Sequence, residues 1–114
     1  MAKLFTMSIR RIWHGWTTPE NADIYQELLH REIFPGIEAK EIEGYHCAEL
    51  FRRDLDKEVE FVTIMTFDSL KNVKDFQGKD YAKAYVPESA GKVLKRWDEE
   101  AVHYEAVEKR TVRI

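Results

Sequence analysis

Cysteine is almost absent from this chain, since Cys47 is the only one among 114 residues. A single thiol excludes an intrachain disulfide and a metal site built from cysteines alone, and it fits a reducing compartment. Glycine is also sparse, with five residues that are dispersed and match neither the GxGxxG pattern nor a phosphate-binding loop. The sequence therefore predicts no glycine-rich phosphate site.

Long apolar runs and a strong charge of one sign are missing as well. No run of 18 apolar residues exists, and the opening MAKLFTM is too short and too broken for a signal peptide. We therefore expect a cytoplasmic protein without a membrane partner. The net charge is −3, from 18 basic and 21 acidic residues, so no basic field attracts nucleic acid.

What the chain does contain is a strand that is apolar on both faces, EVEFVTIMTF at 58–67. One face carries Val59, Phe61, Thr63, Met65 and Phe67, and the other carries Val62 and Ile64. Both faces must be covered, and the helices of a chain this short are expected to cover only one. A partner subunit is the simplest second cover. The alternative is a monomer whose C-terminal tail covers that face.

The other elements are predicted from periodicity, caps and turns. The segment 7–16, MSIRRIWHGW, is a strand, and it precedes a helix that begins at Thr18 and Pro19 and ends at Pro35 and Gly36. The segment 45–53 forms a hairpin with 58–67 across the turn DLDK. Later elements are a helix that closes at Gly78, an amphipathic helix from Ala90 to Trp97, and a strand over 101–107.

This order of elements predicts an α+β, ferredoxin-like fold of the split βαβ type. Helices lie on one face of a four-stranded antiparallel sheet, in a single domain spanning 1–114 with its core over about 7–107 and a polar tail over 108–114. The other face of the sheet is left bare, which is unusual for a monomer. We expect a homodimer that packs through its sheet faces.

Several segments resemble the antibiotic biosynthesis monooxygenase family. They are RIWHGWT before the proline-capped helix, the hairpin GYHCAELFRRDLDKEVEFVTIMTF, the helix DSLKNVKDFQG and the terminal HYE. The similarity covers about Met7 to Val107, and uncharacterised small proteins with the same RIWHGW and HYE segments are similar too. It implies the dimeric α+β barrel fold, with a pocket between helices and sheet.

The resemblance implies one of two activities, cofactor-free oxygenation of phenols or anthrones, or oxidative haem degradation. Haem-degrading members place a tryptophan at the end of the third strand and a histidine in or just after the second helix. This chain has Phe67 there and no histidine over 71–85, so the axial haem ligand is missing. We expect no cofactor and a phenol, anthrone or quinol-like substrate. The alternative is a non-catalytic dimer that binds a small ligand or serves an interaction role.

A cofactor-free monooxygenase needs a base, donors for an oxyanion and a pocket that excludes water. His103 and His14 are candidate bases, because histidine titrates near neutral pH. Either is alternatively a structural histidine, hydrogen-bonded at the sheet or the dimer interface. Arg11 is a candidate partner for an oxyanion or carboxylate, and its alternative is a cross-strand salt bridge to Glu105.

Substrate-binding candidates are the aromatic and small side chains expected around the pocket. Trp13 and Phe61 are candidates to stack on a flat substrate, or else they are core residues. By the resemblance, Thr63 and Met65 lie on the pocket side of the strand together with Phe61, although alternation alone does not orient the strand. Tyr81 and Tyr85 are candidates for the pocket rim, as hydrogen-bond donors or as surface aromatics.

A metal site has only partial support. His103 and Glu105 share one face of a strand, as two ligands do in metal sites. A third ligand would have to come from His14 or His46, and spacing brings neither one near. No metal is expected.

Overall fold

An antiparallel sheet forms the centre of the molecule in this computed structural model, which describes residues 8–112. Its strands are β1 (Ile9–Thr17), β2 (Tyr45–Asp54), β3 (Val59–Phe67), β4 (Arg96–Trp97) and β5 (Val102–Glu105). β3 lies between β2 and β1, and β4 and β5 both pair with the remaining edge of β1. The sheet is open and has five strands, whereas four were predicted.

Helices cover one face of this sheet, so the predicted α+β ferredoxin-like architecture is confirmed. They are α1 (Pro19–Leu28), α2 (Phe34–Glu38), α3 (Leu70–Gln77) and α4 (Glu88–Gly91). A π-helical turn, Leu29–Ile33, joins α1 to α2. The core lies between these helices and the sheet, where Tyr25 of α1 meets Phe61 of β3 edge to face at 4.9 Å between ring centroids.

The two faces of β3 have the environments expected from their alternation. Phe61, Thr63 and Met65 are buried on the helix side, while Val62 and Ile64 are half-buried on the outer face. β1 follows the same rule, because its buried positions pair in register with those of β3. The prediction of which β3 residues lie under the helices is confirmed.

The first helix begins where the sequence predicts and ends later. The Thr18 hydroxyl accepts a hydrogen bond from the Asn21 N–H at 3.3 Å, and Pro19 occupies the first turn. The predicted end at Pro35 is wrong, because Phe34 N–H donates to the Leu29 carbonyl five residues earlier. Pro35, which has no N–H to donate, is the second residue of α2, just after this wide turn. Ile37, predicted to open a polar connector, is 3% exposed.

The predicted helix from Ala90 to Trp97 is also wrong beyond its first turn. α4 stops at Gly91, and Arg96 and Trp97 pair with β1 instead. The edge of β1 supplies hydrogen bonds to this segment, as Lys95 N–H donates to the Trp16 carbonyl at 2.7 Å. The free N–H and C=O groups of an unpaired strand edge form hydrogen bonds with a nearby segment and so compete with helix formation in that segment.

The ends of the predicted first and last strands shift as well. The first strand was predicted from Met7, which lies outside the described residues, and β1 spans Ile9–Thr17. The last strand is shorter than predicted, since β5 covers Val102–Glu105 only. Beyond it, Ala106 N–H donates to the Ser8 carbonyl at 2.8 Å.

Candidate functional site

A narrow cavity lies between the helices and the sheet. Its volume open to the centres of water molecules is about 40 Å³, room for a few waters. Most of its lining is buried, and the half-exposed lining residues Phe34, Tyr85 and Pro87 mark its mouth. The buried lining comprises Arg11, Trp13, Tyr25, Leu29, Ile33, Ile37, Thr63, Met65, Phe76 and Ala90.

Arg11 is the one charged side chain in this lining, and it is 3% exposed. Its Nη1 donates to the Tyr81 carbonyl at 2.6 Å, and its Nη2 donates to the Lys83 carbonyl at 2.9 Å. Nη1 also lies 3.1 Å from Nε2 of His103. The guanidinium therefore ties the segment after α3 to β1.

No carboxylate forms an ion pair with Arg11 among residues 8–112. The alternative salt bridge to Glu105 is thus not formed, since the guanidinium bonds to backbone carbonyls instead. Glu105 is exposed at the sheet edge, opposite Ile9. Burial lowers the pKa of Arg11 to about 10. The site therefore holds a desolvated positive charge that no carboxylate among residues 8–112 neutralises.

Four of the predicted substrate-binding residues line the cavity. Thr63 and Met65 contribute from β3, Trp13 from β1, and Tyr85 from the mouth. The Trp13 indole is fixed in place, because its Nε1 donates to the Asp98 carbonyl at 2.7 Å. Trp13 therefore offers a rigid aromatic face to whatever occupies the cavity.

The two other predicted binding residues lie elsewhere. Phe61 is fully buried and packs against Tyr25 in the core, so its ring is not part of the cavity lining. The Tyr81 ring packs edge-on against His103 at 5.2 Å between centroids, and only its carbonyl reaches Arg11. Both act as structural support beside the cavity.

His103 lies behind Arg11, outside the cavity lining. β5 places it opposite Arg11 in register, and its Nε2 is the acceptor of the Arg11 contact. Desolvation, followed by the positive charge of Arg11, lowers the pKa of His103 to about 4. At neutral pH the ring is therefore neutral, its Nε2 lone pair is engaged by Arg11, and it has no direct contact with the cavity.

His14 lies on the opposite face of the sheet. Its Nδ1 is 3.2 Å from a carboxylate oxygen of Asp98, and its ring stacks on Trp16 at 6.0 Å between centroids. β1 alternation separates it from Arg11 and Trp13, which point under the helices. The structure does not bring His14 to the cavity or to His103, so the two candidate bases do not share a site.

No three His, Cys, Asp or Glu side chains within residues 8–112 form a cluster that could hold a metal.

Tyr25 is the polar cavity residue that sequence reasoning missed. It was assigned to the apolar stripe of the first helix, and burial does raise the pKa of its phenol. Tyr25 thus joins Arg11 and Thr63 as a buried lining residue with a polar side chain. The sequence did contain a signal for this role, because Tyr25 carries a hydroxyl at a position of the apolar helical stripe where leucine is usual.

Comparison with known proteins assigns this arrangement to a recognised fold. The chain is similar to a proposed antibiotic biosynthesis monooxygenase from Bacillus cereus, with 14% identity, a TM-score of 0.66 and coverage of 93% of this chain and 99% of the other. A second proposed antibiotic biosynthesis monooxygenase, from Nitrosomonas europaea, has 9% identity, a TM-score of 0.62 and coverage of 94% and 96%.

A third similar structure contains a bound ligand. It is a monooxygenase from Streptomyces coelicolor in complex with nanaomycin D, with 14% identity, a TM-score of 0.54 and coverage of 96% of this chain and 93% of the other. No family model and no curated protein matches the chain. At these identities the comparisons establish the fold, and the structural neighbours expected from the sequence resemblance are confirmed.

None of the helices described is long and apolar enough to cross a membrane.

Proposed function

We propose that this protein is a cofactor-independent monooxygenase that oxidises a phenol, anthrone or quinol-like substrate in the cavity between helices and sheet. The observation that carries the proposal is the buried Arg11 guanidinium, the one charged group in the lining of a largely apolar cavity in the described part of the chain. Such a cation stabilises negative charge that develops on a substrate oxygen, and the apolar walls exclude water. The shared fold of monooxygenases supports the proposal.

The reaction needs no external reductant. An anthrone methylene reacts with O2 to give a carbonyl and one water, so the substrate supplies both hydrogens and all the electrons. Arg11 stabilises the anionic oxygen of the ionised substrate, and this anion passes one electron to O2. The substrate radical and the superoxide then combine to a peroxide, which takes up a proton and loses water to leave the carbonyl. Trp13 presents its fixed aromatic face to the ring system. Since an aromatic ring exceeds the volume of a few waters, the side chains at the mouth must rotate to admit it.

A non-catalytic small-ligand-binding protein is the second candidate. It is favoured by the absence of histidine, aspartate, glutamate, lysine and cysteine from the cavity lining in the described part of the chain. An apolar pocket with one buried cation binds a ligand without needing a base. The monooxygenase converts its substrate and consumes O2, whereas the binding protein does neither, so a measurement of turnover distinguishes the two functions.

The homodimer belongs to the same proposal. Five half-buried or exposed apolar residues form a patch on the outer sheet face, namely Ile12, Phe51, Val62, Ile64 and Val102. Phe51 pairs with Val62, and Ile12 lies between Ile64 and Val102 in register, so the patch is continuous. A patch of this kind on a small protein favours association, and a second copy offers a matching surface.

Oxygen uptake tests the enzymatic proposal. An oxygen electrode should record consumption with an anthrone or quinol, and Arg11→Gln should lower kcat/KM by about 100-fold, the loss typical of a removed oxyanion donor. His103→Ala should lower it less, because His103 acts through Arg11.

Arg10→Gln is the matched control, since Arg10 is the neighbouring arginine of β1 and lies on the other face, where it bonds Ser8. It should leave the rate unchanged. Absence of oxygen uptake with binding retained would contradict the oxygenase and favour the binding protein.

A further inference from the structure

The cavity carries a cation but no ordinary base. Its lining in the described part of the chain has one guanidinium, Arg11, and two phenols, Tyr25 and Tyr85, but no carboxylate, histidine, lysine or cysteine. Burial raises the pKa of the Tyr25 phenol further. Outside the lining, the ammonium of Lys40 lies 5.0 Å from the centroid of the Tyr85 ring, so a second positive charge lies beside the mouth.

Arg11 lines this space and retains a donor without an acceptor among residues 8–112. Three of its contacts use Nη1 and Nη2, and Nε has no acceptor among residues 8–112. Thr17 Oγ1 is the only side-chain polar atom in that part of the chain that is both fully enclosed and unpartnered. Because Nε of Arg11 also lacks a partner but is not fully enclosed, it keeps some accessible surface. Arg11 is part of the cavity wall.

His103 does not serve as the missing base. Its Nε2 is occupied by Arg11, and its ring lies behind the guanidinium. Its other neighbours are the Tyr81 ring and the exposed edge of the sheet. A proton leaving a substrate in the cavity would have to pass Arg11 to reach it.

From this arrangement we infer that the cavity selects its ligand as a preformed oxygen anion, an acidic phenolate or enolate, and that the proton is given to solvent before binding. The O–H bond breaks outside the site, the electron pair stays on the ligand oxygen, and water or buffer takes the proton. Arg11 then binds the anionic oxygen through its free donors, with the ring against Trp13. The inference rests on the proposed function and defines its substrate class as acidic, planar oxygen compounds.

A chromogenic phenol tests the inference without any turnover. 4-Nitrophenol is mixed with excess protein at one pH unit below the pKa of the free phenol, where about a tenth is ionised. Selective binding of the anion should raise the phenolate absorbance to about half of the total or more, equivalent to a shift of at least tenfold in the ionisation constant. An unchanged or lowered phenolate fraction at saturation would overturn the inference.

Variants assign the effect to Arg11. Arg11→Gln should abolish the rise in phenolate, while the control Arg10→Gln on the other sheet face should retain it. If Arg11→Gln fails to fold, the wild-type protein still decides between outcomes, because benzoate should bind at least tenfold more tightly than the uncharged benzamide of the same shape. Equal affinities would contradict the inference.

The two proposals fail separately. Phenolate selection without oxygen uptake on any anthrone or quinol would leave the anion site in place and remove the oxygenase. Oxygen uptake with equal affinity for charged and neutral ligands would retain the oxygenase and remove the anion site.

Discussion

Arg11 illustrates how a single residue sets the character of this cavity. Moving a guanidinium out of water is costly, and the carbonyls of Tyr81 and Lys83 accept two of its hydrogen bonds without neutralising its charge. Leucine or methionine would fill the same position at lower cost. A buried cation that lacks a carboxylate among the described residues is thus a feature that a bound anion would stabilise.

The pKa of His103 makes the stability of the protein depend on pH. In the folded state this pKa is lowered to about 4 from the ordinary value of 6.5, so the unfolded chain binds a proton that the folded chain does not bind between these values. Stability should therefore be complete above pH 6.5 and fall as pH decreases towards 4. His103→Gln should remove about 1 kcal/mol of this pH-dependent loss, after allowance for the screening of a half-exposed ring.

Urea unfolding at pH 4.5 and pH 7.5 measures this difference between wild type and variant. His30→Gln is the matched control, because His30 is exposed on the helical segment away from Arg11. A pH dependence unchanged by His103→Gln would contradict the coupling between the two side chains.

At the scale of elements, local signals predicted what local forces determine. The alternation of β3 and the cap at Thr18 depend on neighbouring residues, and both are confirmed. The segment after Gly91 has the helical spacing of Val93, Leu94 and Trp97, yet it extends along β1. The conformation of this segment depends on pairing with the free edge of β1, which lies about 80 residues earlier in the sequence. Local periodicity contains no information about such a distant partner.

Loss of the α1 cap should destabilise the protein modestly. Thr18→Ala removes the acceptor for the Asn21 N–H and should lower the free energy of unfolding by about 1 kcal/mol. Urea unfolding measures it, and Thr111→Ala in the exposed tail is the control. A change below about 0.3 kcal/mol would indicate that water replaces the cap.

For the whole molecule, sequence reasoning predicted the faces of the sheet better than the site. Phe61, Thr63 and Met65 were predicted to lie under the helices, and all three are buried there, since alternation separates the two faces of β3. His14 was a candidate base because of its chemistry alone, and it lies on the other face of the sheet from Arg11 and Trp13. Which side chains actually surround a cavity depends on helix packing, so Tyr25 was missed.

The outer sheet face gives the largest-scale prediction, a homodimer. Light scattering after size exclusion should give twice the chain mass of 13.5 kDa at micromolar concentration. Ile64→Asp should dissociate it, because burying an unpaired carboxylate between two sheets costs several kcal/mol. Since Ile64 is half-exposed within one chain, the dissociated variant should keep its far-UV circular dichroism.

Ile24→Asp distinguishes this effect from the general consequence of placing a charge on an apolar surface. Ile24 is 55% exposed on α1, on the helix side of the molecule, so its variant should remain dimeric. Dissociation by Ile24→Asp but not by Ile64→Asp would locate the interface on the helices instead. In that case the partner would lie over the groove beside Ile24 and Leu28, and the outer sheet face would need another cover.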